Sequence, residues 1–224
     1  MRRLTILTGH YGSGKSEVAV NLALQKKITT LVDLDVINPY FRSRSVASLL
    51  KEHGITCVES TLEGRQASDL PYVSGKAWTP LVDPSMSALY DCAGTAQGVK
   101  LLKQVDTWPE DTAFYIVLNT KRPETAKTED IVTLMRQLED ASGLKLTGIV
   151  HNTNLLDAST EAMIDAGQAL CNDVTRMTHI PIVYTVYPHT FTPSPSWHGE
   201  AIALKRYIGA MWLQGGLTWP KEES

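Results

Sequence analysis

The chain has 224 residues, of which 43% are hydrophobic and 20% are charged, and its formal net charge is −3. This composition excludes intrinsic disorder as the main state, and the length predicts one domain over residues 1–224. The small negative charge provides no general attraction to nucleic acid or anionic lipid, so we predict neither a nucleic-acid nor a membrane partner. Three scattered cysteines exclude a disulfide scaffold, and no apolar run approaches the ~20 residues of a membrane-spanning helix. We therefore expect a cytoplasmic protein.

Short β-rich runs alternate with segments of helical periodicity along most of the chain. In chain order, the predicted strands are residues 4–8, 29–33, 88–91, 113–119, 146–152 and 182–186. The predicted helices are residues 16–27, 44–53, 96–105, a helix that contains 131–138 and ends at Gly143, and residues 160–174 and 199–212. Strands that alternate with helices of this length indicate right-handed βαβ units. The predicted fold class is therefore α/β, a doubly wound and mostly parallel sheet with helices on both faces.

Two stretches, residues 59–87 and 187–199, do not follow this alternation, and each contains three prolines. Loops of this length are uncommon in compact domains and often serve as lids or partner surfaces. The alternative for each stretch is an ordered excursion without such a role.

The strongest motif lies directly after the first predicted strand, where residues 9–16 read Gly-His-Tyr-Gly-Ser-Gly-Lys-Ser. Its glycines allow a tight turn in which successive backbone N–H groups point into one concavity, and the helix that follows adds its N-terminal dipole. Lys15 is predicted to reach the β- and γ-phosphates of a nucleoside triphosphate, and the Ser16 hydroxyl to ligate Mg²⁺. The residues of this phosphate-binding loop (P-loop) that we predict to bind the cofactor are Gly9, Gly12, Ser13, Gly14, Lys15 and Ser16.

Carboxylates follow two of the other predicted strands. Asp33 and Asp35 end the second strand, and Asp91 ends a later strand that continues into Cys-Ala-Gly94. Asp91 is predicted to bind Mg²⁺ directly or through water, and Asp35 to orient or deprotonate the attacking water. Gly94 would let a backbone N–H approach the γ-phosphate, and Asp33 would orient its neighbours. A capping or turn role is the alternative for an aspartate at a strand end. The predicted catalytic residues are Lys15, Asp35 and Asp91.

In this order the three motifs resemble those of the ParA/MinD/CobQ-type P-loop ATPases, and residues 32–44 resemble a branch of small bacterial ATP-binding proteins in that group. The resemblance implies binding of ATP and Mg²⁺ and slow hydrolysis. It also implies a nucleotide-dependent homodimer, in which ATP acts as a switch for a protein partner that the sequence does not identify.

One position departs from this family. ParA/MinD-type members carry a second lysine just after the first glycine of the loop, where this chain has His10. A neutral imidazole does not supply a fixed cation. Arg42 or Arg44 is a candidate arginine finger in its place, and the alternative is that both are solvated side chains at the start of a helix.

The base is predicted to be adenine. A Ras-like guanine site requires Asn-Lys-x-Asp after a strand, whereas residues 119–122 read Asn-Thr-Lys-Arg, which disfavours guanine. In ATPases of the resembled family, an asparagine after a late strand and a proline-bearing loop after the last strand flank adenine. Asn152 and Pro188 occupy these places, and Asn152 is favoured over Asn154 because it lies nearer the strand end. Each asparagine is alternatively a turn former.

The sequence thus predicts an ATPase that acts as a nucleotide-gated switch. Two alternatives remain open. One is an ATP-dependent small-molecule kinase or ligase resembling dethiobiotin synthetase, with its acceptor under residues 59–87. The other is a nucleotide-binding module with negligible hydrolysis. The partner, the acceptor and the oligomeric state are not determined by the sequence.

Overall fold

The computed structural model describes residues 1–35, 44–59 and 75–208. Within these residues, eight strands form a sheet in the order β3-β2-β4-β1-β5-β6-β7-β8, and every neighbouring pair is parallel. The central strands are buried on both faces, as in parallel sheets that helices cover. The strands are β1 (Leu4–Thr8), β2 (Thr30–Asp33), β3 (Thr56–Glu59), β4 (Ala88–Asp91), β5 (Thr112–Leu118), β6 (Gly148–His151), β7 (Ile182–Pro188) and β8 (Glu200–Leu204).

The connections are mainly helical. The α-helices of the described ranges are α1 (Lys15–Lys26), α2 (Arg44–Glu52), α3 (Thr79–Val82), α4 (Ala96–Val99), α5 (Thr128–Ser142) and α6 (Glu161–Thr178). Short 3₁₀ helices lie at Gly75–Trp78, Lys100–Gln104, Pro123–Thr125 and Leu156–Ala158. In the part of the chain that the structure describes, no helix has both the length and the apolar character needed to cross a bilayer.

The sheet has a hydrophobic cluster on each face. Ile131 of α5 and Val174 of α6 belong to the same cluster as Ile6 of β1. Val18 of α1 belongs to the other cluster, together with Leu7 of β1. Adjacent residues of a strand point to opposite faces, so β1 contributes to both clusters. The predicted doubly wound α/β fold, with helices on both faces of a parallel sheet, is confirmed.

Helix α5 shows how the sequence pattern determines one of these elements. Its buried residues Ile131, Met135 and Leu138 recur at the helical period and form its sheet-facing side. Gly143 follows the helix at φ +76°, and its N–H donates to the Glu139 carbonyl at 2.8 Å. A glycine in this left-handed conformation is the common helix stop, so the predicted end at Gly143 is confirmed.

The prediction of a helix at residues 199–212 is wrong over its first part. Residues 200–204 form β8, which pairs in parallel with β7 from Tyr184–Glu200 to Pro188–Leu204. Alanine and leucine favour a helix locally, but pairing with the free edge of β7 satisfies the backbone groups instead. Residues 209–212 lie outside the described residues. Strand β3 was not predicted, and the helix predicted over residues 96–105 is α-helical only to Val99 before its 3₁₀ continuation.

The two irregular stretches pack against the fold where they are described. Of the first, residues 60–74 lie outside the described residues. In its later part the Ala77 carbonyl accepts a hydrogen bond from the Tyr90 hydroxyl of β4 at 3.1 Å. In the second stretch, the Trp197 indole N–H donates to Asp165 Oδ1 of α6 at 2.8 Å. These two contacts attach the described parts of the stretches to the sheet and to α6.

The parallel arrangement also determines where a site can form. All eight carboxyl ends lie along the same edge of the sheet, so the residues that directly follow β1, β2, β4, β5 and β6 lie there. In open α/β sheets this edge is the usual place for ligands.

Candidate functional site

The P-loop connects β1 to α1, and its shape depends on glycine. Gly12 and Gly14 adopt φ +76° and +82°, values that other residues rarely adopt. The Ser13 N–H donates to the His10 carbonyl at 3.0 Å and closes a turn. Lys15 begins α1 directly after the turn, so the first amide groups of the helix lie at the loop. A helix N-terminus next to such a turn is a general anion-binding arrangement.

Side chains from the two loops beyond β5 and β6 hold the P-loop. The Asn152 side-chain amide donates to the Ser13 carbonyl at 2.8 Å, and Arg122 Nε donates to the Gly12 carbonyl at 2.9 Å. A Cβ atom on Gly14 would lie 2.6 Å from the Asn152 nitrogen. The glycines therefore also make room for the side chains that fix the loop.

Lys15 and Asp35 form a buried ion pair beside the loop. Both side chains are less than a tenth exposed, and Lys15 Nζ lies 3.7 Å from Asp35 Oδ2. Asp33 Oδ1 accepts the backbone N–H of Asp35 at 2.9 Å. Asp33 thus fixes the backbone that carries Asp35, the arrangement expected if it orients its neighbours.

Ser16 and Asp91 meet at the end of β4. The Ser16 hydroxyl donates to Asp91 Oδ2 at 2.5 Å, and Asp91 is fully buried. Burial raises the pKa of Asp91 to about 6, although the nearby Lys15 charge and the Ser16 hydrogen bond both lower it. Asp91 Oδ1 is buried, and no group of the described residues is hydrogen bonded to it. A carboxylate oxygen without a partner, next to a hydroxyl, fits a hard divalent cation such as Mg²⁺.

Two cavities whose lining lies within the described residues open at this edge of the sheet. The larger, of 560 Å³, is lined by Gly12, Gly14, Lys15, Ser16 and Arg122 among others. The smaller, of 380 Å³, is lined by residues that include Tyr187, Pro188 and Phe191. Five residues line both cavities: Asn152, Asn154, Leu156, Leu204 and Arg206. The two cavities are therefore adjacent, with room for a phosphate tail in one and a base in the other.

The structure brings most of the predicted site residues together. Gly94 packs directly against the P-loop, because a Cβ atom there would lie 1.8 Å from the Gly9 carbonyl oxygen. Pro188 lines the smaller cavity, and Asn152 lines both cavities. The Asn152 amide nitrogen is engaged with the Ser13 carbonyl, so its predicted contact with adenine stays a prediction.

The candidate cations around the loop differ in their positions. His10 Nδ1 lies 3.7 Å from a Glu124 carboxylate oxygen. Arg42 lies outside the described residues, and Arg44 begins α2.

Arg122 was not among the predicted site residues, although it lies at the loop. The sequence shows only that Arg122 lies four residues after the end of a strand, β5, and it is the pairing of β5 with β1 in the structure that brings Arg122 to the loop.

A buried histidine, His151, lies next to the site, and its burial makes the free energy of unfolding depend on pH. Neither ring nitrogen of His151 has a hydrogen-bond partner among the described residues, and burial lowers its pKa to about 4. In the unfolded chain a histidine binds a proton near pH 6.5. The part of the unfolding free energy that depends on a neutral His151 is therefore fully present above that pH. It is lost as the pH falls from about 6.5 to 4, by roughly 3 kcal/mol of unfolding free energy.

This effect is measured as the difference between the wild type and His151→Leu in urea unfolding at pH 7 and pH 4.5. The expected result is a smaller loss of stability in the variant as the pH falls. His53→Gln, at an exposed histidine, is the control and should follow the wild type. Equal losses in the wild type and His151→Leu would contradict the assignment.

Comparisons with known proteins indicate the fold. No family model matches the chain, and neither does any curated protein. Among solved structures it is similar to the cell division protein FtsY of Thermotoga maritima, with a TM-score of 0.52 and 14% identity over 81% of this chain and 60% of that one. For the chloroplast FtsY of Physcomitrella patens the values are 0.51 and 13%, over 83% and 58%. The signal recognition particle receptor FtsY of Elizabethkingia anophelis gives 0.50 and 14%, over 81% and 57%.

The chain spans less than two thirds of the length of these proteins, and at such identities the similarity concerns the fold. These structures do not belong to the ParA/MinD group, so membership of that group stays a prediction. The parallel sheet, the P-loop between β1 and α1, and the matched structures agree. The chain has the doubly wound α/β fold of the P-loop NTPases.

Proposed function

We propose that the protein is a Mg²⁺-dependent ATPase that hydrolyses ATP slowly and acts as a nucleotide-gated switch for a partner protein. The observation that supports this most directly is the convergence of Lys15, Ser16, Asp35 and Asp91 at a P-loop that two neighbouring side chains hold in place. This set of groups matches the parts that phosphoryl transfer needs, which are positioning groups, a cation site and a carboxylate for water.

Lys15 would bind the β- and γ-phosphates, with the loop amides around them. Its present counter-ion is Asp35, at 3.7 Å. Phosphate oxygens that attract Lys15 compete with this carboxylate. Nucleotide binding would therefore loosen the Lys15–Asp35 pair and leave Asp35 available to orient or deprotonate the attacking water.

Ser16 and Asp91 would hold Mg²⁺. Bound there, the ion would supply positive charge to the phosphate oxygens. Most Asp91 side chains are ionised at pH 7, because the pKa of about 6 lies below this pH. Gly94, which packs against Gly9, would keep the loop after β4 close to the γ-phosphate.

Adenine is the proposed base for a chemical reason. Guanine offers two adjacent N–H donor groups, for which a free carboxylate is the natural acceptor. Asp157 lines the smaller cavity, but it is paired with Arg206 at 3.1 Å. After β6, the residue three positions beyond Asn152 is Leu155, where the guanine-binding motif has aspartate. Asn152 and Pro188 would flank adenine in this cavity.

The slow turnover, the homodimer and the partner are proposed from the resemblance to ParA/MinD-type ATPases. His10 supports the first of these, because it replaces a lysine that would be a fixed cation at the phosphates. The chemistry would consist of positioning and electrostatics, with no covalent intermediate.

The experiment is calorimetry with MgATP and MgGTP, combined with light scattering and phosphate release in ATP, in ADP and without nucleotide. We expect tighter binding of ATP than of GTP, a larger particle mass with ATP only, and slow release of phosphate. Absence of heat with both triphosphates would contradict nucleotide binding. A phosphorylated or cyclised product from a metabolite library would favour the kinase or ligase alternative over the switch.

A further inference from the structure

Arg122 is held in place by the turn that follows β5. Its backbone N–H donates to the Asn119 carbonyl at 3.1 Å. The Thr125 hydroxyl donates to the same carbonyl at 2.6 Å, and the Thr125 N–H donates to the Arg122 carbonyl at 3.0 Å. These bonds fix the backbone of Arg122 at the carboxyl edge of the sheet, so its side chain is directed by an ordered turn.

The guanidinium group of Arg122 lies against the P-loop. Its Nε donates to the Gly12 carbonyl at 2.9 Å. The place that a Cβ atom of Gly12 would occupy is 3.0 Å from Cζ and 3.2 Å from Nη2 of the same side chain. Any residue other than glycine at position 12 would push the guanidinium away. The side chain lines the larger cavity together with Lys15 and Ser16.

The charge of Arg122 is available to a ligand. Across residues 1–35, 44–59 and 75–208, no carboxylate forms an ion pair with Arg122. Arg206, which lines the same cavity, is instead paired with Asp157. A guanidinium has five N–H donors in a planar fork, and the bond to Gly12 uses the one on Nε. The remaining donors suit phosphate oxygens.

A triphosphate carries more negative charge than Lys15 and one Mg²⁺ ion neutralise, and His10 provides no fixed cation at the loop. We infer that Arg122 binds the phosphate tail of the nucleotide and supplies, from the same chain, the second fixed positive charge of the site. This inference rests on the nucleotide-binding function proposed above. It assigns Arg122 two contacts at once, with its Nε on the Gly12 carbonyl and its terminal N–H groups on phosphate oxygens.

The test compares Arg122→Gln, Arg122→Lys and the wild type by calorimetry with MgATP, MgADP and adenosine. Glutamine keeps an N–H₂ donor for the Gly12 carbonyl but removes the charge, whereas lysine keeps the charge. We expect Arg122→Gln to bind MgATP roughly 10- to 100-fold more weakly, the range for loss of a charged hydrogen bond, with its affinity for adenosine unchanged. Arg122→Lys should recover most of the affinity.

Salt dependence separates a phosphate contact from a purely structural role. If Arg122 contacts phosphate, the affinity of Arg122→Gln for MgATP should fall less steeply with added salt than that of the wild type. Arg136→Gln removes the same charge from an exposed position of α5 and should behave like the wild type.

Each outcome has a defined meaning. If the wild type binds MgATP and Arg122→Gln binds it equally well, the inference is wrong and the proposed function stands. The same conclusion follows if Arg122→Gln loses affinity for adenosine and MgATP alike, or if its salt dependence is that of the wild type. If the wild type binds neither MgATP nor MgGTP, both the proposed function and the inference are wrong.

Discussion

Replacing Lys15 by methionine is expected to lower the affinity for MgATP by at least ~100-fold, because several charge-assisted contacts to the phosphates disappear together. Methionine retains an unbranched stem in a position that is only 6% exposed, so packing at the start of α1 is largely kept. Calorimetry with MgATP measures the effect, and a thermal unfolding curve shows that the variant is folded.

Lys51→Met, at an exposed lysine in the last turn of α2, provides the matched control. It should bind MgATP like the wild type. An affinity of Lys15→Met within threefold of the wild type would show that the P-loop is not the phosphate site, and the proposed function would have to be abandoned.

Gly94→Ala is expected to damage the site without touching any charged group. The added methyl group would lie 1.8 Å from the Gly9 carbonyl oxygen, 2.6 Å from its carbon and 3.2 Å from the His10 Cα. All three are backbone atoms, which cannot rotate aside as a side chain can. We expect a loss of roughly 2–3 kcal/mol or more, a Tm lower by about 5–10 °C, and at least tenfold weaker MgATP binding.

Gly75→Ala is the control for this substitution. A Cβ atom at Gly75 meets no atom of the described residues within 4 Å, so the same chemical change should leave the Tm and the MgATP affinity close to the wild-type values. Equal Tm values for Gly94→Ala and the wild type would mean that the loop after β4 does not pack against the P-loop as described.

The parts of the fold that the sequence predicts are those determined locally. Helix α5 was predictable because Ile131, Met135 and Leu138 follow the helical period and Gly143 stops it. The P-loop was predictable because the turn itself requires its glycines, and Lys15 and Ser16 follow them at the spacing of the motif. Asp91 was assigned to the site from its place at the end of a strand, and it meets Ser16 there.

The parts that could not be predicted depend on pairing between distant segments. Residues 200–204, predicted as part of a helix, form a strand because they pair with the edge of β7. No local sequence pattern indicates that this edge is available for pairing. Strand β3 is four residues long and owes its conformation to β2. Arg122 reaches the loop because β5 is a neighbour of β1, a relation of strand order that the sequence does not express.

The hydrogen bond from Asn152 to the Ser13 carbonyl has a consequence for the energetics of binding. A trans peptide group directs its C=O and its N–H to opposite sides. By drawing the Ser13 carbonyl toward β6, Asn152 turns the amide hydrogen of Gly14 the other way. The proposed phosphate site is thus preorganised before a nucleotide binds. Little backbone entropy is then lost on association, and more of the interaction energy appears as affinity.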